Sequence, residues 1–334
     1  MSRTVRWGIL STAVIAREAV IPAMLKEPYC KNIAIDAIAS RDLEKAQAVA
    51  NEAGIPRAYG SYEQLLADAE IDAVYIPLPN HMHVPYAIQA LEAGKHVLCE
   101  KPIGLSVAEA EQLVEASRRH PQLKLMEAFM YRHHPQWKWA RQVIDDGKIG
   151  ELRTVHSFFS YYDEGPEGIL HHPEWGGGGL MDIGCYPISL SRFLFQDEPQ
   201  RVVGILEEDP RYHVDRLTSG IMDFACGTAT FTCATQLSDY QRIIAFGTKG
   251  RLEIEIPFNA PTDRPCRATL EVDQEIKNLE FDICDQYGIQ AHLFSRAILD
   301  DTPVPTPIED AVANMRVIEA VVRSGKSQGW EQVS

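Results

Sequence analysis

Val5-Arg6-Trp7-Gly8-Ile9-Leu10 runs directly into Ser11-Thr12-Ala13-Val14-Ile15-Ala16. A mostly apolar run of six residues, then small polar ones, then apolar residues at helical spacing, reads as a buried strand turning into a helix. Dinucleotide-binding loops of the form G-x-G-x-x-G occupy such turns. Their glycines permit a tight bend and let backbone N–H groups approach a pyrophosphate at the helix N-terminus. The three glycine places fall here on Ser11, Ala13 and Ala16, all small and none glycine. Taken alone, the segment also fits an ordinary strand-to-helix turn, so its context decides.

That context is a βαβ alternation. Short apolar runs at 5–10, 33–40, 73–76, 96–99 and 123–127 are separated by segments of helical period at 16–25, 43–53, 62–67, 83–93 and 106–119. The alternation predicts an α/β Rossmann domain with a doubly wound parallel sheet, covered on both faces. Ser106 followed by Glu109 has the spacing of a capping box. Beyond Ile149-Gly150 the texture changes to strand-like runs at 154–162, 202–207, 219–224, 228–235, 243–246, 252–256 and 268–272, with little helix between them. This predicts a C-terminal α+β domain with a large, mainly antiparallel open sheet. Two segments of helical period close the chain, at 289–299 and 308–324, and the last helix is expected to pack back on the first domain. A length of 334 residues exceeds one ordinary core. The expected division is 1–125 for dinucleotide binding and 126–334 for substrate binding and oligomerisation.

A net charge of -15 repels phosphate backbones and anionic membrane surfaces, which sets aside nucleic acid and membrane partners. No run of 18 apolar residues is present, and the first strand-like segment follows Met1 without a signal-peptide pattern, so the expected location is cytoplasmic. The seven cysteines stand singly, without C-x-x-C spacing, and read as reduced, mostly buried residues.

Two further stretches carry chemistry. The second strand ends in Ser40-Arg41, near where an NAD-specific site places an acidic residue against the ribose 2′-hydroxyl. A hydroxyl and a planar guanidinium fork suit a 2′-phosphate instead, which favours NADP and leaves NAD possible. The alternative is a solvated surface arginine. Cys99-Glu100-Lys101-Pro102-Ile103-Gly104 follows a buried parallel strand. Ligands of open α/β sheets bind beyond the carboxyl ends of the strands, so Lys101 is placed to set positive charge beside a substrate hydroxyl. The alternative is a surface lysine opening a loop.

With these residues in view the chain resembles the Gfo/Idh/MocA family of NAD(P)-dependent oxidoreductases. The carrying segments are the 8–16 loop, Ile76-Pro77-Leu78-Pro79-Asn80-His81-Met82-His83, Gly94 through Pro102, Met126-Glu127-Ala128-Phe129-Met130-Tyr131-Arg132, and Gly177-Gly178-Gly179-Leu180-Met181-Asp182-Ile183-Gly184-Cys185-Tyr186-Pro187. The resemblance implies that Lys101 is the active-site lysine, that Asp182 contacts substrate hydroxyls, and that Tyr186 is the general acid/base. It also implies that Ser11, Thr12, Ala13, Val14 and Ile15 hold the dinucleotide and that Pro77, Leu78, Asn80, His83, Glu100 and Arg132 line its nicotinamide end. For His83 the competing reading is a helix-start residue satisfied by backbone. Ala13 departs from the family's glycine, and its methyl is expected to crowd the pyrophosphate side of the turn more than Ser11 does.

Many family members have histidine at position 186. Tyrosine there is similar to glucose-fructose oxidoreductase, dimeric dihydrodiol dehydrogenases, NADP-dependent D-xylose dehydrogenases and some nucleotide-sugar ketoreductases. A phenol of pKa about 10 needs a nearby cation to titrate at neutral pH, a part the resemblance gives to Lys101. The implied reaction moves a hydride between nicotinamide and a hydroxyl or carbonyl carbon of an aldose such as D-xylose or D-glucose, or of a trans-dihydrodiol. A keto-sugar reductase, an NAD-dependent glycosidase and a non-catalytic NADP-binding regulator are the alternatives. Trp175, in the Gly-, Pro- and His-rich stretch 164–175, is placed to stack on a sugar face. Adjacent His171 and His172 lack a third ligand at recognisable spacing, so no metal is expected. The partners implied are a small polyhydroxylated substrate and further copies of the chain, as a homodimer or homotetramer through the C-terminal sheet.

Overall fold

The computed structural model describes residues 4–165 and 168–334, so Pro166 and Glu167 of the 164–175 stretch lie outside the described residues. The chain divides into two compact units, Met1–Met130 with Gln286–Val312 and Tyr131–Asp285 with Ala313–Ser334.

In the first unit β1 (Val5–Leu10), β2 (Ile33–Ala39), β3 (Arg57–Tyr59), β4 (Ala73–Ile76), β5 (His96–Cys99) and β6 (Leu125–Glu127) form one parallel sheet in the order β3-β2-β1-β4-β5-β6. Every residue of β4 is buried, as a strand covered on both faces must be. The order reverses between β1 and β4, the switch point beyond which open α/β sheets bind ligands. The helices are α1 (Ile21–Leu25), continuing a π turn over Ala16–Val20, then α2 (Leu43–Ala53), α3 (Tyr62–Leu66), α4 (Asn80–Glu92) and α5 (Val107–Arg119). Side chains start them: Asp42 accepts the N–H groups of Glu44 and Lys45, and Ser61 that of Gln64. Ser106 Oγ accepts the Glu109 N–H at 3.2 Å, but Glu109 Oε2 reaches back to the N–H of Leu105 at 2.8 Å. The box closes one residue earlier than its spacing suggests. β3 is absent from the sequence pattern because three half-buried edge residues are too few to show a period.

Trp7 is fully buried in the middle of β1, and its indole N–H needs an acceptor. It donates to Ser295 Oγ at 3.2 Å, and its ring lies 5.6 Å from that of Phe294. Both partners belong to the helix Gln286–Leu299, which therefore completes the core of the first unit.

The second unit holds α6 (Pro135–Asp145), β7 (Leu152–Tyr162), α7 (Cys185–Phe195), β8 (Arg201–Glu208), β9 (Asp215–Phe224), β10 (Gly227–Ala234), β11 (Gln236–Gly247), β12 (Gly250–Ile254), β13 (Cys266–Val272), β14 (Glu275–Phe281) and β15 (Glu331–Gln332). Its nine-stranded sheet has the order β14-β13-β12-β11-β7-β10-β9-β8-β15. β7 and β10 pair in parallel, and the other pairings among the described residues are antiparallel. One face is buried, through Val155, Ala229, Phe231, Met222 and Ile243, while Ile205, Ile221 and Tyr240 are exposed on the sheet. α7 escaped the sequence pattern for a physical reason. Nine of its residues are buried, so it has no polar face to give a period of 3.6. No helix of the described residues is long and apolar enough to cross a membrane.

Gly8 stands inside β1 rather than in the turn. A Cβ there would lie 2.5 Å from Leu65 Cδ2 and 3.3 Å from Ile71 Cγ2, and both neighbours are buried. Overpacking of this kind costs about 1–3 kcal/mol. Gly8→Val is expected to lower the free energy of unfolding by that amount, read as a lower urea midpoint at an unchanged m value.

Candidate active site

In the first unit the candidate residues begin at the end of β1. Ser11 has φ 153, a conformation that favours glycine, whereas Ala13 is not among the positive-φ residues. The demand for glycine thus falls on the first place of the motif, not on the second, and Ala13 fits its backbone. Ser11 compensates by accepting the Ala13 N–H at Oγ, 3.0 Å away. The first helical bond runs from the Arg17 N–H to the Ala13 carbonyl at 3.1 Å, so the N–H groups of Val14 and Ile15 lie in a first turn that offers no intrahelical acceptor. A helix start with unclaimed donors fits a pyrophosphate. Thr12, beside them, is partly exposed.

At the end of β2, Ser40 is buried, donates its N–H to the Tyr59 carbonyl at 3.1 Å and accepts the Asp42 N–H at Oγ, 3.3 Å away. Arg41 is exposed beside it. Sequence reading missed Tyr62, the first residue of α3. Burial pushes its phenol up, opposed by the neighbouring Arg41 guanidinium and by hydrogen bonds with Ser11 and Arg41. The structure therefore brings the loop after β1 and the arginine after β2 together around one tyrosine.

The Lys101 turn leaves the end of β5, with a cis peptide bond between Lys101 and Pro102. Three buried side chains surround it. Tyr75, in β4, donates its hydroxyl to Glu100 Oε1 at 2.6 Å, and the Lys101 N–H reaches Glu100 Oε2 at 3.4 Å. Burial pushes the Glu100 carboxyl up, against the Tyr75 hydrogen bond and the Lys101 charge, which favour the carboxylate. Glu127, at the end of β6, accepts the Ile103 N–H at 2.8 Å. His83, in α4, sets Nδ1 2.8 Å from the Pro102 carbonyl and Nε2 2.7 Å from the Leu78 carbonyl. Pro77, Leu78 and Asn80 form the β4-to-α4 turn that His83 thereby ties to Lys101-Pro102, with Leu78 and Asn80 buried. The ring of His83 is thus occupied by main-chain carbonyls.

The second unit carries its own group of candidate residues. The π turn Leu180–Gly184 runs without a break into α7 and puts Asp182 and Tyr186 on one helix, four residues apart. Tyr161 in β7 donates its hydroxyl to Asp182 Oδ2 at 2.5 Å. The start of the turn is held by Asp215, another residue that sequence reading passed over. Asp215 Oδ2 accepts the Leu180 N–H and the Thr218 hydroxyl, each at 2.7 Å. Burial pushes the Asp215 carboxyl up, and these two donors oppose it. The glycine run is shaped to Asp215 and to main chain. A Cβ on Gly178, where φ is +100, would lie 2.3 Å from Asp215 Oδ1, and one on Gly177 would lie 2.5 Å from the Leu170 carbonyl oxygen.

Tyr186 is 5% exposed, its ring 5.4 Å from Phe258 and 5.8 Å from Phe159 and Tyr131. Arg132 donates to Ser189 Oγ at 2.7 Å and lies 5.8 Å over the Phe193 ring, so these contacts direct it to α7. One face of Trp175 is covered by His172, with ring centroids 3.8 Å apart, and His171 instead stacks on Tyr212 at 4.1 Å.

A doubly wound sheet with an anion-receiving helix start and an immobilised Glu-Lys-Pro turn at its strand ends defines a nicotinamide-dinucleotide oxidoreductase. Residues 5–129 match the GFO/IDH/MocA oxidoreductase family with its NAD-binding Rossmann fold, and residues 137–253 match the GFO/IDH/MocA C-terminal domain. An uncharacterised oxidoreductase of Rhizobium meliloti is 42% identical over 98% of this chain and 99% of its own length. A D-xylose 1-dehydrogenase (NADP(+)) of Haloferax volcanii is 37% identical over 96% of this chain and 97% of its own. Among solved structures, a 3-ketoreductase of Actinomadura kijaniata in complex with NADP and TDP-benzene superposes with a TM-score of 0.89 at 29% identity, covering 96% of this chain and 98% of that one. The chain belongs to the GFO/IDH/MocA family and is an NAD(P)-dependent oxidoreductase.

The site has a pH signature in stability. His83, His133 and His134 are buried, and burial holds each at about 4. An unfolded histidine titrates near about 6.5. The unfolded state therefore binds more protons between these values, so the stabilisation is complete above the unfolded pKa and is lost as pH falls toward 4. Urea midpoints measured at constant ionic strength are expected to drop steadily from pH 6.5 to 4.5, with a shallower slope in His83→Gln.

Proposed function

We propose that this chain is an NADP-dependent dehydrogenase of an aldose such as D-xylose or D-glucose, or of a trans-dihydrodiol, working on one CH–OH carbon. The observation that carries the reading is the Lys101 turn: a lysine at the carboxyl end of a parallel strand, its main-chain N–H held by a carboxylate that a buried tyrosine also holds. Lys101 directs its ammonium to the reacting oxygen and polarises it. Tyr186 takes the hydroxyl proton in oxidation and returns it in reduction, and Asp182 accepts a hydrogen bond from a substrate hydroxyl and orients it. Bound nicotinamide supplies the hydride chemistry. Trp175 offers an apolar ring to the sugar face. Ser11, Thr12, Ala13, Val14 and Ile15 hold the pyrophosphate, Ser40 and Arg41 the 2′-phosphate, and Pro77, Leu78, Asn80 and Glu100 the nicotinamide end. His83 supports that end through the two carbonyls its ring meets, and Arg132 holds Ser189 of α7, three residues beyond Tyr186. The D-xylose dehydrogenase likeness supports the aldose reading, and the 3-ketoreductase likeness supports keto-sugar reduction as a second. The protein works in the cytoplasm as a homodimer or homotetramer, joined through the sheet face that exposes Ile205, Ile221 and Tyr240.

A panel of aldoses, dihydrodiols and keto-sugars, followed through NADPH absorbance, tests the reading. Lys101→Ala and Tyr186→Phe are each expected to lower kcat by about 10^2 to 10^4, and turnover at the parent rate in either would sink the mechanism. Cofactor binding without turnover of any compound would favour a regulator, and release of an aglycone without net NADPH would favour a glycosidase. Arg41→Ala is expected to raise KM for NADP about 10- to 100-fold, the loss of a charged hydrogen bond, while KM for NAD changes little.

A further inference from the structure

Lys101 is followed by a proline and preceded by a glutamate, and the side chains that hold this turn come from β4, α4 and β6. We infer that Tyr75 is a positioning residue for Lys101 that acts through Glu100, its hydroxyl fixing the carboxylate that also accepts the main-chain N–H of Lys101. The inference rests on Lys101 being the catalytic cation.

Tyr75 is fully buried in the strand Ala73-Val74-Tyr75-Ile76, whose other members are aliphatic. Its register places it between Ile9 of β1 and Leu98 of β5, so the ring fills the sheet layer as phenylalanine would. Packing therefore accounts for the ring and not for the hydroxyl. A buried hydroxyl needs a partner, and this one has Glu100 Oε1 at 2.6 Å, the short distance of a hydrogen bond to a carboxylate. The same carboxylate, through Oε2, accepts the main-chain N–H of Lys101. One group thus touches both the strand and the lysine's own backbone. His83 on the Pro102 carbonyl and Glu127 on the Ile103 N–H fix the far side of the turn, so the side-chain end of Glu100 is what remains to be set.

The electrical coupling runs both ways. The Lys101 charge favours an ionised Glu100, and an ionised Glu100 favours the Lys101 ammonium. Without the Tyr75 hydroxyl, Oε1 loses a donor, the carboxylate becomes easier to protonate and freer to swing, and the ammonium loses a fixed anion. A lysine needed in its charged form then fails at lower pH.

The test measures kcat and KM against pH, with NADP and D-xylose, or with the fastest compound of the panel if D-xylose is not turned over. Tyr75→Phe is expected to reduce kcat about tenfold and to move the alkaline limb of its pH profile down by half a unit or more. KM for NADP and the NADPH affinity read by fluorescence should change less than twofold. Glu100→Gln should lower kcat and move the alkaline limb more strongly, and in both respects the double variant should be no worse than Glu100→Gln alone, because Tyr75 acts through that carboxylate. A purely structural tyrosine would lower the unfolding midpoint, leave the alkaline limb in place and add its effect to that of Glu100→Gln, and that result overturns the inference. If Tyr75→Phe fails to fold, 3-fluorotyrosine at position 75 keeps the ring and alters only the hydroxyl's acidity; an unmoved limb there also overturns it. Parent-rate turnover in Lys101→Ala would instead bring down the reading of Lys101 itself.

Discussion

A carboxylate at the end of a buried strand must find hydrogen-bond donors, and Glu100 finds them in Tyr75 and in the main chain of Lys101. Much of the first unit is arranged around that necessity. The sheet order brings β4 alongside β5 in register, so Tyr75 pairs with Leu98 and the tyrosine hydroxyl arrives where the chain leaves β5. α4 follows β4 after a turn of Pro77-Leu78-Pro79 and returns His83 to the Pro102 carbonyl. β6 adds Glu127 from the other edge. Each of these polar groups is expensive in an apolar layer, and together they hold one short turn from three sides.

The second unit solves a parallel problem with a different part. Asp215 is buried and needs donors, and it takes them from Thr218 and from the Leu180 N–H at the start of the π turn. Main chain can approach it only because Gly178 has no side chain. Both motif helices contain a π turn, over Ala16–Val20 after the first loop and over Leu180–Gly184 at Asp182. π turns break the regular hydrogen-bond ladder and recur at functional positions, where the altered rise re-aims side chains.

How much of this was open to a reader of the sequence follows from what periodicity can carry. The strands 5–10, 73–76 and 96–99 coincide with β1, β4 and β5, since apolar runs between polar turns are unambiguous when strands are buried on both faces. α7 was hidden because it is buried on nearly all sides, and β3 because it is short. Among the candidate site residues, Lys101, Asp182 and Tyr186 stand in recognisable motifs. Tyr75, Glu127, Tyr161 and Asp215 were not, because their partners are distant in the chain and spacing says nothing of them. A signal did exist for Tyr75 and Glu127: a hydroxyl and a charge inside otherwise apolar parallel strands ask for partners. In the loop after β1 the chain places its glycine-like backbone at Ser11, a detail that motif spacing does not carry.

The indole of Trp7 and the hydroxyl of Ser295 belong to one core, although nearly the whole of the second unit separates them along the chain. Domains made on the ribosome commonly fold from the N-terminus as they emerge. Here β1 leaves the ribosome before residues 131–285 of the other unit, and the helix that seals it leaves only after them. The dinucleotide-binding unit is therefore finished only after its neighbour has been synthesised, and until then Trp7 waits without its permanent partner.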